Sequence, residues 1–310
     1  MICNKIRKMI LRIASLICAI AFVTALFPAL TGCSRESENS GNNKLIVGAT
    51  IIPLKSFVEA VTGDLADVEV LVPPGASPES YEPSPVNINT LSKASVFFGI
   101  DLPPEEKLDP NIFQNTKFVD LADIVTDKYP DRYFDEDGGQ EDEEHDHTGR
   151  DPHIWMSPVR VIAMVEAIAE EMKVLDPANS ETYAENAAGY IQQLTKLDSD
   201  ITGTINALLQ KKMIMFHPSL GYFADDYGLE MYALEDAGKE ATAKNLGEMI
   251  DLARNEGIKV IFTQAENAGS QAETFANEIG GRVEVLDPLS GDYIDNLYLI
   301  ASKIAEAANE

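Results

Sequence analysis

Residues 179–209, NSETYAENAAGYIQQLTKLDSDITGTINALL, form a stretch with a long helical pattern, and the predicted architecture is built around it. Its apolar side chains recur at steps of three, four and seven residues, which is the pattern of an amphipathic helix. Asn179, at the start, is a residue type that caps helices well. At about 1.5 Å per residue the helix would be about 45 Å long, enough to cross between two domains. The apolar positions are Tyr183, Tyr190, Leu194, Leu197, Ile201, Ile205 and Leu208.

On both sides of this helix, short apolar runs alternate with segments of helical periodicity. Such alternation favours parallel βαβ units, so we predict the α/β class. The predicted architecture is one parallel-sheet lobe over 44–175, a linking helix over 176–210 and a second parallel-sheet lobe over 211–310. We find no sequence repeat between the two halves that we would defend. The predicted strands are 45–50, 68–72 and 96–100 in the first half, and 213–216, 230–234, 258–263 and 283–286 in the second.

The N-terminus has a basic start, an uncharged apolar run over 13–30 and the sequence Leu-Thr-Gly-Cys ending at Cys33. This order predicts an export signal over 1–32, and it resembles the bacterial lipoprotein signal, whose Cys becomes the lipidated first residue. The polar residues that follow Cys33 predict a flexible tether over 33–43. An ordinary cleaved signal and a retained single helix are the alternatives. The expected location is the outer face of the cytoplasmic membrane or the periplasm, with a lipid anchor on Cys33.

The charge balance excludes whole classes of partner. With 51 Asp and Glu against 24 Lys and Arg, the formal net charge is −27. Such an excess repels phosphate backbones and anionic lipid head groups, so we predict no nucleic-acid binding. The cysteines are Cys3, Cys18 and Cys33, and cleavage before Cys33 would leave a single thiol, which excludes a disulfide framework.

Residues 131–150 form a densely acidic segment that contains His145 and His147. With almost no apolar side chains, it is predicted to be a loop of the first lobe. Its two histidines belong either to a solvated tract or to a weak, labile metal collector.

Histidine is scarce elsewhere in the chain, which makes the other two positions informative. His217 follows the strand 213–216 and Asp287 follows the strand 283–286, at the carboxyl ends where open α/β sheets place their ligand crevices. His153 would meet them from the other half, and Glu79 lies in a proline-stiffened loop. Two imidazoles and two carboxylates suit Zn²⁺ and also Mn²⁺.

Each of these residues also has an ordinary structural explanation. A histidine at a strand end can be a hydrogen-bonded structural residue, and Glu79 can be a solvated loop carboxylate. Asp287, which precedes a proline, can simply start a turn.

Several motifs resemble those of the substrate-binding lipoproteins of bacterial ABC importers for zinc and manganese, also called cluster A-I or zinc-uptake solute-binding proteins. They occur in order along almost the whole predicted mature chain. The matching stretches are 72–78 with 81–85, 151–155 with 157–158, 216–224 with 227–229, 238–240 with 244–246, and 286–289.

The resemblance implies two α/β lobes joined by a rigid backbone helix, with metal held between the lobes. It places His153, His217 and Asp287 on three ligand positions, and the fourth, commonly His in the family, is Glu79 here. A glutamate shifts the site towards oxygen ligands. The implied function is a monomeric, non-catalytic receptor that captures Zn²⁺, or alternatively Mn²⁺, and delivers it to an ABC permease.

Two other function classes are compatible with a metal site. One is a zinc metallohydrolase that uses Glu79 or Asp287 as general base. Four protein ligands would leave no open position for a reacting water, which argues against it. The other is an adhesin-like surface lipoprotein in which metal is structural, so that metal removal would unfold the chain.

Overall fold

The computed structural model describes residues 44–134, 149–235, 242–265 and 270–310. The predicted signal over 1–32, the tether over 33–43 with Cys33, and the loop residues His145 and His147 lie outside these ranges, so the interpretations made of them stay predictions. The predicted domain boundaries stay predictions as well. Within the described ranges, no helix combines the length and the apolar character needed to cross a membrane.

The first lobe is built on a four-stranded parallel sheet in the order β2-β1-β3-β4. Val47, on the central first strand, pairs with Val68 on one side and Val96 on the other. The third strand, VFFG, is buried at all its positions, as expected for a parallel sheet covered on both faces. The elements are β1 (Leu45–Ala49), α1 (Ile52–Thr62), β2 (Ala66–Val70), α2 (Pro85–Leu91), β3 (Val96–Gly99), β4 (Lys117–Asp120), α3 (Leu121–Thr126) and α4 (Pro158–Leu175).

The second lobe repeats this topology, with a four-stranded parallel sheet in the order β6-β5-β7-β8. The two lobes therefore share one strand order although their sequences show no repeat. The elements are β5 (Lys212–Met215), α6 (Gly221–Tyr227), β6 (Glu230–Ala233), α7 (Ala243–Glu256), β7 (Val260–Gln264), α8 (Ser270–Ile279), β8 (Arg282–Leu286) and α9 (Tyr293–Ala307).

The predicted long helix is α5 (Ser180–Asn206), 27 residues or about 40 Å in length. It packs against α1 and α4 of the first lobe and α9 of the second, which confirms its linking position. It ends three residues earlier than predicted. Asn179 precedes the helix but does not cap it through its side chain, which donates to Asp176 Oδ2 at 2.6 Å instead. The buried positions are Tyr183, Ala187, Leu194, Leu197, Ile201 and Ile205.

One apolar core runs from the first sheet through α4 and α5 into the second lobe. At its centre Trp155, 1% exposed, donates from its indole nitrogen to the carbonyl of Pro288 at 2.9 Å. The hydroxyl of Tyr293 donates back to the carbonyl of Trp155 at 2.7 Å. Because these bonds join the two lobes beside the carboxyl ends of the strands, they position the loops that meet there.

Candidate metal centre

Three of the four predicted ligands converge at the junction of the lobes. Among the described residues, Glu79, His153 and His217 each offer a ligand atom, and these atoms all lie within 4.8 Å of one another. Glu79 Oε1 is 2.8 Å from His217 Nε2 and 3.8 Å from His153 Nε2. Both imidazoles are buried, and the Glu79 side chain is 35% exposed. The group thus has one open side, through Glu79.

His153 is oriented by its own local sequence. It lies directly before a 3₁₀ turn, Ile154–Met156. Asp151 Oδ1 accepts the backbone N–H of His153 at 3.0 Å and lies 2.7 Å from the ring Nδ1. A carboxylate at Nδ1 favours a proton on that nitrogen and fixes the ring so that Nε2 lies on the side of Glu79.

His217 is oriented by a neighbouring strand. It follows β5, and its Nδ1 lies 2.9 Å from Glu235 Oε2, which comes just after β6. The backbone of Glu235 donates to the carbonyl of Phe216 at 2.9 Å, which holds the two strand ends side by side. Each histidine therefore has a carboxylate behind it and directs Nε2 to the shared Glu79, an arrangement typical of metal-binding histidines.

Sequence reasoning missed both of these carboxylates. Asp151 stands two residues before His153 and could have been found from that spacing. Glu235 lies 18 residues after His217, and only the pairing of β5 with β6 brings it close.

The facing side chains shift each other's pKa. Burial alone would lower the pKa of His217, but hydrogen bonds with Glu79 and Glu235 outweigh it and raise that pKa above its ordinary value. Burial alone would raise the pKa of Glu79, but the hydrogen bond and charge of His217, with His153 nearby, lower it. A metal ion bound at this pair would have to displace the proton that His217 carries below its raised pKa.

Glu79 is held by the proline-rich loop between β2 and α2. The loop folds on itself through two turns, in which Ala76 donates to the carbonyl of Pro73 and Ser80 to that of Ser77. Gly75 has a φ of +79°, a conformation that side chains rarely adopt. The loop therefore presents Glu79 from a backbone with little freedom.

Asp287 does not join the three converging side chains. It is exposed at the end of β8, and its Oδ1 accepts the backbone N–H of Leu289 at 3.1 Å. This is the turn-starting role that was its ordinary structural explanation. Its neighbours Pro288 and Leu289 line the cavity of the three ligands, whereas Asp287 lines the adjoining cleft with Val72.

Gln264, at the end of β7, is another cavity residue that sequence reasoning missed. It is 7% exposed and lines the cavity together with Glu79, His153 and His217. Its Nε2 has no hydrogen-bond partner among the described residues. No local motif marks it, since only the end of a buried strand places it there.

Similarity to known proteins extends along almost the whole length of both lobes. A family model described as "Zinc-uptake complex component A periplasmic" matches residues 47–307. The zinc-binding lipoprotein AdcA of Streptococcus pneumoniae (strain ATCC BAA-255 / R6) is 31% identical over 279 residues, which are 87% of this chain and 54% of AdcA. This chain thus spans about half the length of that relative.

Two further relatives match over nearly their full length. The high-affinity zinc uptake system protein ZnuA of Bacillus subtilis (strain 168) is 30% identical over 292 residues, with 87% of each chain covered. A crystal structure of ZnuA superimposes with a TM-score of 0.77 at 34% identity, covering 86% of this chain and all of that one. Because the family model matches most of the sequence, this chain belongs to the zinc-uptake complex component A family.

Proposed function

We propose that this protein is an extracytoplasmic receptor that binds one Zn²⁺ ion between its lobes and delivers it to an ABC import permease. The observation that carries the proposal is the convergence of Glu79 with His153 and His217, each histidine backed by a buried or nearly buried carboxylate. The names of its relatives, a zinc-binding lipoprotein and a zinc-uptake protein, agree with it.

Zinc is the metal that the donor atoms suit best. Two neutral imidazole nitrogens and a carboxylate oxygen are ordinary Zn²⁺ ligands. The same set also accommodates Mn²⁺, because carboxylate oxygens suit that ion. Mn²⁺ is therefore the alternative cargo of the same site.

We retain Asp287 as the proposed fourth ligand. It lies two residues from Leu289, which lines the cavity, and its carboxylate is bound only to the backbone of its own turn in the described structure. A turn of the side chain away from the Leu289 N–H would free Oδ1 for metal. With Asp287 in place the coordination would be filled by protein, and the metal would be cargo rather than a catalytic centre.

The remaining parts of the proposal rest on the sequence. Cys33 would carry the lipid anchor, and His145 and His147 would collect metal loosely near the site. The receptor would act as a monomer, with the two lobes over 44–175 and 211–310 flanking the linking segment 176–210.

The test is metal content and competitive titration of the chain from residue 33 onward with Cys33 replaced by Ser, against Zn²⁺ and Mn²⁺. We expect one tightly held Zn²⁺ per chain, lost in His217→Ala. His147→Ala is the matched control, since a loose collecting loop leaves the tight stoichiometry unchanged. Tighter binding of Mn²⁺ would reassign the cargo, and no tight metal at all would refute the proposal.

Two further readouts separate the other function classes. After chelation the circular dichroism spectrum should stay that of a folded protein, whereas a structural metal predicts unfolding. The zinc-loaded protein should not turn over ester or peptide substrates, as a metallohydrolase would.

A further inference from the structure

A polar network links the oriented histidine of the first lobe to helix α6 of the second. Asp151 is fully buried, and its two oxygens have different partners. Oδ1 orients His153, whereas Oδ2 accepts from Arg132 Nη1 at 3.1 Å. A buried carboxylate with a bound arginine keeps one orientation, so the position of the His153 ring depends on Arg132 as well as on Asp151.

Arg132 is itself held by the second lobe. Its Nε donates to Asp225 Oδ2 on α6 at 3.1 Å, and its backbone N–H donates to the hydroxyl of Tyr222, also on α6, at 3.0 Å. Its own carbonyl accepts the N–H of Asp151 at 2.8 Å. The guanidinium therefore bridges a carboxylate of each lobe, with its backbone fixed on both sides.

Helix α6 packs so closely against Arg132 and Asp151 that a side chain on its first residue would have to displace them. A Cβ on Gly221, the first residue of α6, would lie 2.5 Å from Asp151 Oδ2 and 2.7 Å from the Arg132 guanidinium carbon. The same helix begins four residues after His217. One short element thus follows the histidine of the second lobe and supports the histidine of the first.

A second arginine fixes α6 beside the first. Arg160 Nη1 donates to Asp226 Oδ1 at 2.8 Å, and its guanidinium lies 4.6 Å from the centroid of the Tyr222 ring. Arg160 joins α4 to α6 and has Ser157 and Pro130 as its other partners. The lobes are therefore held at α6 by Arg160 as well, so that the orienting of Asp151 falls to Arg132.

We propose that Arg132 is a positioning residue for metal binding: it holds Asp151, and hence His153, in the orientation that a bound metal would need. It does so only while it also reaches Asp225 across the lobe junction. This inference rests on the proposed metal-binding function for its consequence and on the metal-free geometry for its mechanism. Loss of an outer-shell partner typically weakens metal affinity by about 10- to 100-fold.

The experiment compares Arg132→Met and Arg132→Lys with the unaltered chain. Long-range ¹H–¹⁵N spectra of the metal-free protein report which ring nitrogen of His153 carries the proton. We expect the Nδ1–H form in the unaltered chain and a mixture with the Nε2–H form in Arg132→Met. Zn²⁺ affinity should fall by about 10- to 100-fold in the same variant. Lysine keeps the positive charge but not the guanidinium that can bond two carboxylates at once. Arg132→Lys should therefore show a smaller tautomer shift and a smaller loss of Zn²⁺ affinity than Arg132→Met.

One control and one further test variant accompany these two. Arg254→Met removes an arginine from α7 that pairs with Glu278, and it should change neither readout. Asp225→Asn removes only the far end of the bridge, and it should shift both readouts in the direction of Arg132→Met by a smaller amount.

The outcomes distinguish this inference from the proposed function. An unchanged His153 tautomer in both Arg132 variants would overturn the inference, whether or not zinc binds. A shifted tautomer in a chain that holds no zinc would overturn the function and leave the positioning role standing. If Arg132→Met does not fold, Arg132→Lys still tests the inference. An unaltered His153 tautomer and Zn²⁺ affinity in that variant would contradict it, because lysine lacks the guanidinium that bonds both Asp151 and Asp225.

Discussion

The two histidines of the site are held by the same kind of contact but from different distances along the chain. Asp151 stands two residues from His153 and is fully buried, with Arg132 behind it. Glu235 stands 18 residues from His217, follows the adjacent strand β6 and is 15% exposed. The first lobe thus orients its proposed ligand within one local turn, whereas the second lobe orients its proposed ligand through the pairing of β5 with β6.

The two positions also differ in the charges that they face. His217 lies between Glu79 at 2.8 Å and Glu235 at 2.9 Å, and both raise its pKa. Glu79 is farther from His153, at 3.8 Å. On the proposed metal-binding function, we therefore expect metal and proton to compete at His217, whereas Asp151 and Arg132 set the geometry at His153. If this difference between His153 and His217 is real, four consequences are measurable.

The largest expected effect is the loss of either imidazole. His153→Ala and His217→Ala each remove a nitrogen donor, so Zn²⁺ affinity should fall by more than the roughly 10- to 100-fold that an outer-shell loss costs. Competitive titration with a chromophoric chelator measures it. Tyr298→Phe, which removes a hydroxyl bonded to Asp200, is the control. A variant of either histidine with unaltered affinity would remove that residue from the ligand set.

The next effect concerns the carboxylates behind the rings. Asp151→Asn and Glu235→Gln should each weaken Zn²⁺ binding by about 10- to 100-fold. The loss should be larger for Asp151→Asn, because that change also removes the partner of Arg132. Parallel titrations of both variants measure the order. Equal losses, or a larger loss from Glu235→Gln, would contradict the assignment of geometry to the first lobe.

The third prediction is the pH dependence of zinc binding. Below the raised pKa of His217 the ring carries a proton that metal must displace, so affinity should fall by about tenfold for each pH unit in that range. Glu235→Gln removes one cause of the shift and should move the fall to lower pH. Zinc titrations between about pH 5 and about pH 8 would give the curve of affinity against pH for the unaltered chain and for Glu235→Gln. Superimposable curves would mean that Glu235 does not act on the proton of His217.

The smallest effect is on the stability of the metal-free chain. The lowered pKa of Glu79 makes its contribution complete above pH 4.5 and lost as pH falls through the lowered value. The raised pKa of His217 makes its contribution complete below pH 6.5 and lost as pH rises through the raised value. The pair therefore stabilises the fold most between these two pH values.

Glu79→Gln tests this window. Because a third of the Glu79 side chain is exposed and solvent screens the pair, the loss in unfolding free energy should be about 1 kcal/mol or less. Urea unfolding of the metal-free protein at several pH values measures it. A loss that is the same at pH 9 as at pH 5.5 would show that packing, rather than the ion pair, is responsible.

Much of the fold could be predicted because its signals are local. The alternation of apolar runs and helical segments predicted both parallel sheets, and the periodicity of α5 predicted its buried face at Leu194, Leu197, Ile201 and Ile205. The end of that helix was less accurate, since it was predicted to run towards Leu209, which is fully exposed, whereas the helix ends at Asn206. Periodicity reports which face is buried and says little about where the last turn unwinds.

The site residues, too, were predicted only in part. His153, His217 and Glu79 were predicted, and the structure brings them together, because each follows a strand or precedes a helix at the carboxyl edge of its lobe. Asp287 follows a strand too, but its carboxylate bonds its own turn, and its role as a ligand stays a prediction. Position along the chain predicts which edge a side chain occupies, and it does not predict which way that side chain turns.

Residues close together in the chain were enough to predict the α/β class and the linking helix. The contact of Asp151 with His153 is equally local, although it was not predicted. Three features arise only when the chain folds: Glu235 lies behind His217, Arg132 bridges Asp151 to Asp225, and the two sheets share one strand order. Contacts between residues far apart in sequence depend on how sheets and helices pack. The entropy lost in closing the intervening chain and the free energy gained by packing both involve residues throughout the two lobes, so no short stretch of sequence predicts them.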